Sequence, residues 1–306
     1  MTPKRHLRWL PIVLFLLAGA AAPADPGPGP EQIASGLGFP EGTVFVDGTL
    51  TFVDYQASSV LRQVDGAVAT VWQQPGCGAN GLLPVPEGLW VACYTGQSFV
   101  LVGSDGKTIR TIDRDIAGKP FDSPSDLAAD RTGGAWLTAS GSGPATGKVY
   151  HMTARGQATM VANDLRFANG VAVSADGKLL YVSESKAHRL SMFTIEAGFG
   201  LGARRTFVDL DAVVPHQGRR GVVPDSIRSD RDGNVFVALY EGGGIAVFRP
   251  NGTLLGTVSV PFAHHTSLAI APDRASLIAT AVDDLPGGGY RGALYRVGNP
   301  AWAGVQ

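Results

Sequence analysis

The chain has 306 residues with 25 Lys and Arg against 26 Asp and Glu. It carries no basic block, so binding to nucleic acid has no electrostatic support. With 41 Gly and 20 Pro between short Val- and Leu-rich runs, the composition excludes a helical bundle and suits many short strands joined by tight turns.

At the N-terminus Lys4, Arg5 and Arg8 precede an apolar run from Trp9 to Ala22, and Ala22, Pro23 and Ala24 offer small residues for cleavage. This is the layout of a secretory signal over residues 1–24, and the run is short for a membrane span. Its removal predicts a secreted or periplasmic chain with no membrane span and a charge near −4, since 22 basic residues then face 26 acidic ones. Residues 25–30 continue a Pro/Gly leader, and 31–306 form the folded domain.

From there one phrase recurs. Its copies are EGTVFVDGTLTFVD from Glu41, NGLLPVPEGLWVAC from Asn80, SDLAADRTGGAWLTA from Ser125, NGVAVSADGKLLYVSE from Asn169, DSIRSDRDGNVFVAL from Asp225 and SLAIAPDRASLIATA from Ser267. The leading positions lie 39, 45, 44, 56 and 42 residues apart. Each unit has room for roughly four strands of 5–6 residues. Six four-stranded units predict an all-β fold, a six-bladed β-propeller. EQIASG, after the leader, is expected beside GALYRVG as the outer strand of the last blade, which leaves no open edge.

In the second copy, Cys77 and Cys93 are the only cysteines, 16 residues apart. An oxidising compartment would close them into a disulfide; the alternative is two separate buried thiols. They do not supply the ligands of a zinc site.

The constant part of the phrase specifies blades, while its first residue varies over oxygen-bearing side chains. Glu41, Asn80, Ser125, Asn169, Asp225 and either Thr266 or Ser267 are expected to converge at one end of the channel. Taken singly, pairs such as Asn-Gly are ordinary turns; their equivalent placement marks a site. Glu41, Asn169 and Asp225 bring two carboxylates and an amide oxygen together. Calcium suits such hard donors best, with magnesium, manganese or zinc as the other candidates.

FPEG from Phe39, FANGVAVSADGKLLYVSE from Phe167 and PDSIRSDRDGNVFVA from Pro224 resemble the senescence marker protein/gluconolactonase/luciferin-regenerating-enzyme-like family, over essentially all of residues 31–298. The resemblance implies a six-bladed propeller, a central calcium-type ion held by Glu41, Asn169 and Asp225, and hydrolysis of a lactone or related ester with Asp225 as general base. The third blade departs from the family pattern: Pro-Ser-Asp stands from Pro124 where Pro-Asn-Asp is usual, and KPFDS from Lys119 lacks the arginine often found upstream. That puts a sugar lactone in doubt and leaves a metal-stabilised, non-catalytic binding propeller as the alternative.

Asn80, Ser125, Asp126, Thr266 and His265 are the candidate substrate-binding residues. His264 and His265 point to opposite faces of a strand, so at most one of them looks inward. The long stretch DLDAVVPHQGRRGVVP, from Asp209, is a candidate lid carrying His216, Arg219 and Arg220.

Overall fold

A computed structural model describes residues 29–215 and 221–302. The proposed signal segment and His216, Arg219 and Arg220 lie outside the described residues.

Among the described residues the first strand is β1 (Glu31–Leu37). Blade one follows as β2 (Pro40–Val46), β3 (Thr49–Asp54), β4 (Ser59–Val64) and β5 (Ala67–Gln73). Blade two is β6 (Ala79–Val85), β7 (Gly88–Cys93), β8 (Ser98–Gly103) and β9 (Thr108–Ile112). Blade three is β10 (Pro124–Ala129), β11 (Ala135–Ala139), β12 (Gly147–Met152) and β13 (Ala158–Leu165). Blade four is β14 (Ala168–Val173), β15 (Leu179–Glu184), β16 (Arg189–Thr194) and β17 (Arg205–Asp209). A one-turn helix α1 (Leu210–Val213) leads to blade five: β18 (Val223–Ser229), β19 (Val235–Glu241), β20 (Gly244–Phe248) and β21 (Leu254–Ser259). Blade six is β22 (His264–Ile270), β23 (Ser276–Asp284) and β24 (Tyr290–Gly298).

β1 completes that last sheet: it pairs antiparallel with β24, placing Glu31 opposite Arg296 and Leu37 opposite Gly292. The closure expected for EQIASG is present, and the fold is the six-bladed propeller. No helix among the described residues is long and apolar enough to cross a membrane.

Two features hold the ring. Apolar clusters fill the six clefts between neighbouring blades; Leu50, Phe52, Leu61, Ile278 and Leu294 join blade six to blade one. Fully burying side chains of this size contributes about 1.5–3 kcal/mol each, so every cleft is a substantial hydrophobic contact. The acidic turns of the repeated phrase close the hairpins. Asp130 Oδ1 accepts the N–H groups of Thr132 (2.7 Å) and Gly134 (2.8 Å), and Asp230 Oδ1 accepts those of Asp232 and Asn234. These are Asx turns, in which a short carboxylate replaces a backbone acceptor.

The six inner strands, β2, β6, β10, β14, β18 and β22, each touch the inner strands of both neighbours. Each also slips register against its second strand at the leading residue: after Glu41, Ala79, Pro124, Ala168, Pro224 and His265. In blades two to six the leading pairs are therefore bulges inside strands, not turns ahead of them; in blade one Glu41 pairs with Val53 and the bulge falls on Gly42 and Thr43. Bulges re-aim side chains and raise local twist.

The second residue of the pair is glycine where the next blade comes too close for a side chain. A Cβ at Gly81 would sit 2.6 Å from the Ser125 carbonyl oxygen, and one at Gly170 2.6 Å from that of Asp225. Gly170→Ala is expected to cost about 1–3 kcal/mol by overpacking, read as a lower denaturant midpoint, because backbone rather than a mobile side chain stands in the way.

Cys77 and Cys93 form the disulfide, with Cα atoms 4.6 Å apart. Replacing both by Ser is expected to cost about 3 kcal/mol, the loop-closure value for a link of this length. Thermal unfolding with and without reductant checks it: reductant should lower the midpoint of the native chain and leave the variant's unchanged.

Candidate active site

A cavity of about 360 Å³ opens at the axial end where the bulged residues gather, and Glu41, Asn80, Ser125, Asn169 and Asp225 all line it. Five blades thus deliver their leading residue to one place. Each sits second or third in its inner strand, where the bulge turns it toward the axis.

Three of the five are linked by hydrogen bonds. The Ser125 hydroxyl donates to Asn169 Oδ1 at 2.6 Å, and the Asn169 amide in turn donates to the Asp225 carboxylate and, at 3.4 Å, to Ser185 Oγ. The Gly42 N–H donates to Glu41 Oε2 at 3.2 Å. Glu41 is 4 % exposed and Asp225 7 %. Burial, then the Asp225 charge, pushes the Glu41 carboxyl well above its ordinary range. Burial, then the Asp126 charge, does the same to Asp225 against the Asn169 hydrogen bond. Among the described residues no lysine, arginine or histidine lines the cavity to offset them.

Two buried carboxylates with an amide oxygen between them fit a hard divalent cation, which would relieve both repulsion and desolvation. Asn169 Oδ1 has a second lone pair free of the Ser125 bond. The third donor is an amide; among the described residues no group of three or more His, Cys, Asp or Glu side chains is arranged to hold a metal.

The other three candidates do not reach the cavity. Asp126 is a strut: its Oδ2 accepts from Arg228 Nη1 at 2.9 Å and the Val171 N–H at 3.3 Å, tying blades three, four and five. Thr266 donates to the Pro40 carbonyl at 2.7 Å and bonds Thr280, sealing blade six to blade one. His265 is fully buried, with its ring nitrogens against the carbonyls of Leu239, Val260 and Pro261, and burial pushes its imidazole below the ordinary value. Its place in the repeat is the one before the leading residue, held elsewhere by Pro40, Ala79, Pro124, Ala168 and Pro224, and that position faces the second strand.

The residues that sequence reading missed are aromatic: Phe39, Tyr55, Tyr94, Phe167, Tyr240 and Tyr290 line the same cavity. A signal existed. Tyr55, Tyr94, Ser185 and Tyr240 occupy one column, directly after the second-strand residue that pairs ahead of each bulge. The disulfide anchors Tyr94 and Asn80 together, since Cys93 pairs with Ala79 and the Tyr94 N–H donates to the Gly78 carbonyl at 2.9 Å.

Behind the floor lies Glu184, fully buried, paired across the strand with Ala168. Burial alone would push its carboxyl up. The Arg166 N–H (2.8 Å), the Ser191 hydroxyl (2.5 Å) and Arg189 (2.8 Å) instead hold it below the usual range. A depressed carboxyl contributes stability that is complete above the unfolded value of about 4.3. That contribution is lost as pH falls through the lower folded value. Glu184→Gln should therefore cost about 2–3 kcal/mol at neutral pH, and its gap to the native chain should close in acid, as measured by thermal unfolding across pH.

Comparison with known proteins agrees with the fold. The model of the SMP-30/Gluconolactonase/LRE-like region matches residues 39–283. The gluconolactonase of Zymomonas mobilis is 26% identical over 259 residues, covering 75% of this chain and 72% of that protein. Lactonase drp35 of Staphylococcus aureus is 28% identical over 217 residues, 66% of this chain and 65% of its own. The structure of XC5397, a gluconolactonase from Xanthomonas campestris, superposes with a TM-score of 0.72 at 24% identity, covering 87% of this chain and 89% of that one. The chain belongs to the SMP-30/gluconolactonase/LRE-like family.

Proposed function

We propose that the chain is an exported hydrolase of lactones or related esters that works with a divalent cation, calcium first among the candidates, held by Glu41, Asn169 and Asp225. The observation that carries this reading is the meeting of two buried carboxylates and an amide in a cavity on the propeller axis. Relatives named gluconolactonase and lactonase support the reaction class. The basic–apolar start of the chain and the Cys77–Cys93 disulfide support export into an oxidising compartment.

Bound there, the cation supplies Lewis-acid polarisation of the ester carbonyl. The remaining work falls to side chains. Asp225, a carboxylate on the cavity floor, takes a proton from the attacking water. Asn80 orients the substrate by hydrogen bonding. Ser125 fixes the Asn169 amide through its 2.6 Å bond, so its hydroxyl is a positioning group as much as a substrate contact.

Metal content, thermal stability and turnover on a lactone panel test the proposal together. Added calcium should raise the unfolding temperature, and chelation should abolish turnover. Asp225→Ala should lower kcat by about 10²–10⁴-fold. Glu41→Gln, which removes one of two repelling charges, should raise the metal-free unfolding temperature by about 2–4 °C and erase the response to calcium. Bound metal without turnover would favour the non-catalytic binding propeller; absence of metal binding would remove the site as drawn.

A further inference from the structure

The cavity wall is more selective than its floor. Tyr290, Phe39, Tyr55 and Tyr94 form a continuous run of edge-to-face rings, with centroids 4.7, 5.8 and 6.1 Å apart. The run crosses blades six, one and two. Tyr240 extends it into blade five through a hydroxyl contact with Tyr290. Phe167 faces it from blade four, the blade opposite blade one in a six-membered ring.

The hydroxyls of this wall are already engaged. Tyr55 bonds Thr95 Oγ1 at 3.0 Å, Tyr94 bonds Ser123, and Tyr240 and Tyr290 bond each other. Ser125 is committed to Asn169. The wall therefore offers a ligand mainly ring surface, with the Asn80 amide and the floor as its chief polar contacts. The several hydroxyls of an aldonolactone would meet mostly ring surface on this wall, and each one left unpaired in a buried site is costly. The two floor carboxylates disfavour an anionic ligand, and the cation at the cavity edge, Lys186 Nζ, lies over the Phe167 ring.

Phe167 adds an independent observation. Its φ is +66°, in a column where Gly78 and Ser123 also take φ of +58°. Glycine adopts that conformation freely, whereas a bulky side chain there is strained by about 1–3 kcal/mol. The strain is retained with the ring turned to the cavity, where Lys186 Nζ covers it at 4.9 Å.

Building on the hydrolase reading above, we infer that the substrate is a neutral lactone with an apolar, aromatic ring face, and that Phe39, Tyr290 and Phe167 determine that specificity. The ring face packs on the wall while the ester reaches the floor. Hydrolysis adds one water: its oxygen bonds the carbonyl carbon, the ring C–O bond breaks, and the proton ends on the released hydroxyl.

The test uses the full chain with calcium, comparing dihydrocoumarin with glucono-δ-lactone for turnover. Their non-hydrolysable lactams are compared for binding by calorimetry. The expected result is kcat/KM about tenfold or more in favour of dihydrocoumarin, with only its lactam binding. Tyr290→Ser and Phe167→Asn should each reduce kcat/KM for dihydrocoumarin about tenfold, a larger loss than for glucono-δ-lactone. Phe167→Asn relieves the positive φ, so its unfolding temperature should hold or rise, which separates lost recognition from lost folding. Equal or better turnover of glucono-δ-lactone, equal losses on both substrates, or no selective lactam binding would overturn this inference while leaving the hydrolase reading to the calcium and Asp225 data. Selective lactam binding without turnover on any lactone would support the wall's specificity and sink the hydrolase instead.

Discussion

The register slip at the head of each inner strand is the constraint on which the rest depends. Two residues there face one on the second strand, so the leading side chain turns to the axis and its carbonyl turns to the preceding blade. Hydroxyls on that blade answer it: Thr138 donates to the Asn169 carbonyl at 2.5 Å and Ser183 to that of Asp225 at 2.6 Å. One distortion therefore aims the site residues and locks blade to blade. The apolar clusters between blades supply most of the burial, but they do not say where a side chain points.

Convergence makes the electrostatics of the floor unavoidable. Glu41 and Asp225 are drawn together by the ring and desolvated by it, and Arg228, paired with Asp126, offsets the Glu41 charge less than burial and Asp225 oppose it. A floor of that kind needs a proton or a cation to be stable, which is a useful state for an ester carbonyl to meet. The wall above it is opposite in character, built from rings whose hydroxyls are already bonded. On the reading proposed above, the contrast between a charged floor and an aromatic wall would orient a ligand before any chemistry begins.

The disulfide serves the same geometry. It bridges the segment entering β6 and the end of β7, so the amide of Asn80 and the ring of Tyr94 are held by one covalent link. Glu184 does comparable work in blade four, where its three partners fix the strand end carrying Ser185 behind Asn169.

Much of this was legible in the chain because it is written once per blade. The spacing of the phrase, its glycines and its acidic turns are local, and they determined six blades, ring closure by Glu31–Leu37 and the convergence of Glu41, Asn80, Ser125, Asn169 and Asp225. Directions were not legible. A one-residue slip reverses every following side chain, so only the folded register could decide that Thr266 and His265 turn away and that Asp126 becomes a strut. The aromatic wall lay hidden for a related reason. Its members come from strand ends and connecting loops spread over five blades, and nothing but closure of the ring makes Phe39 a neighbour of Tyr290, 251 positions along the chain.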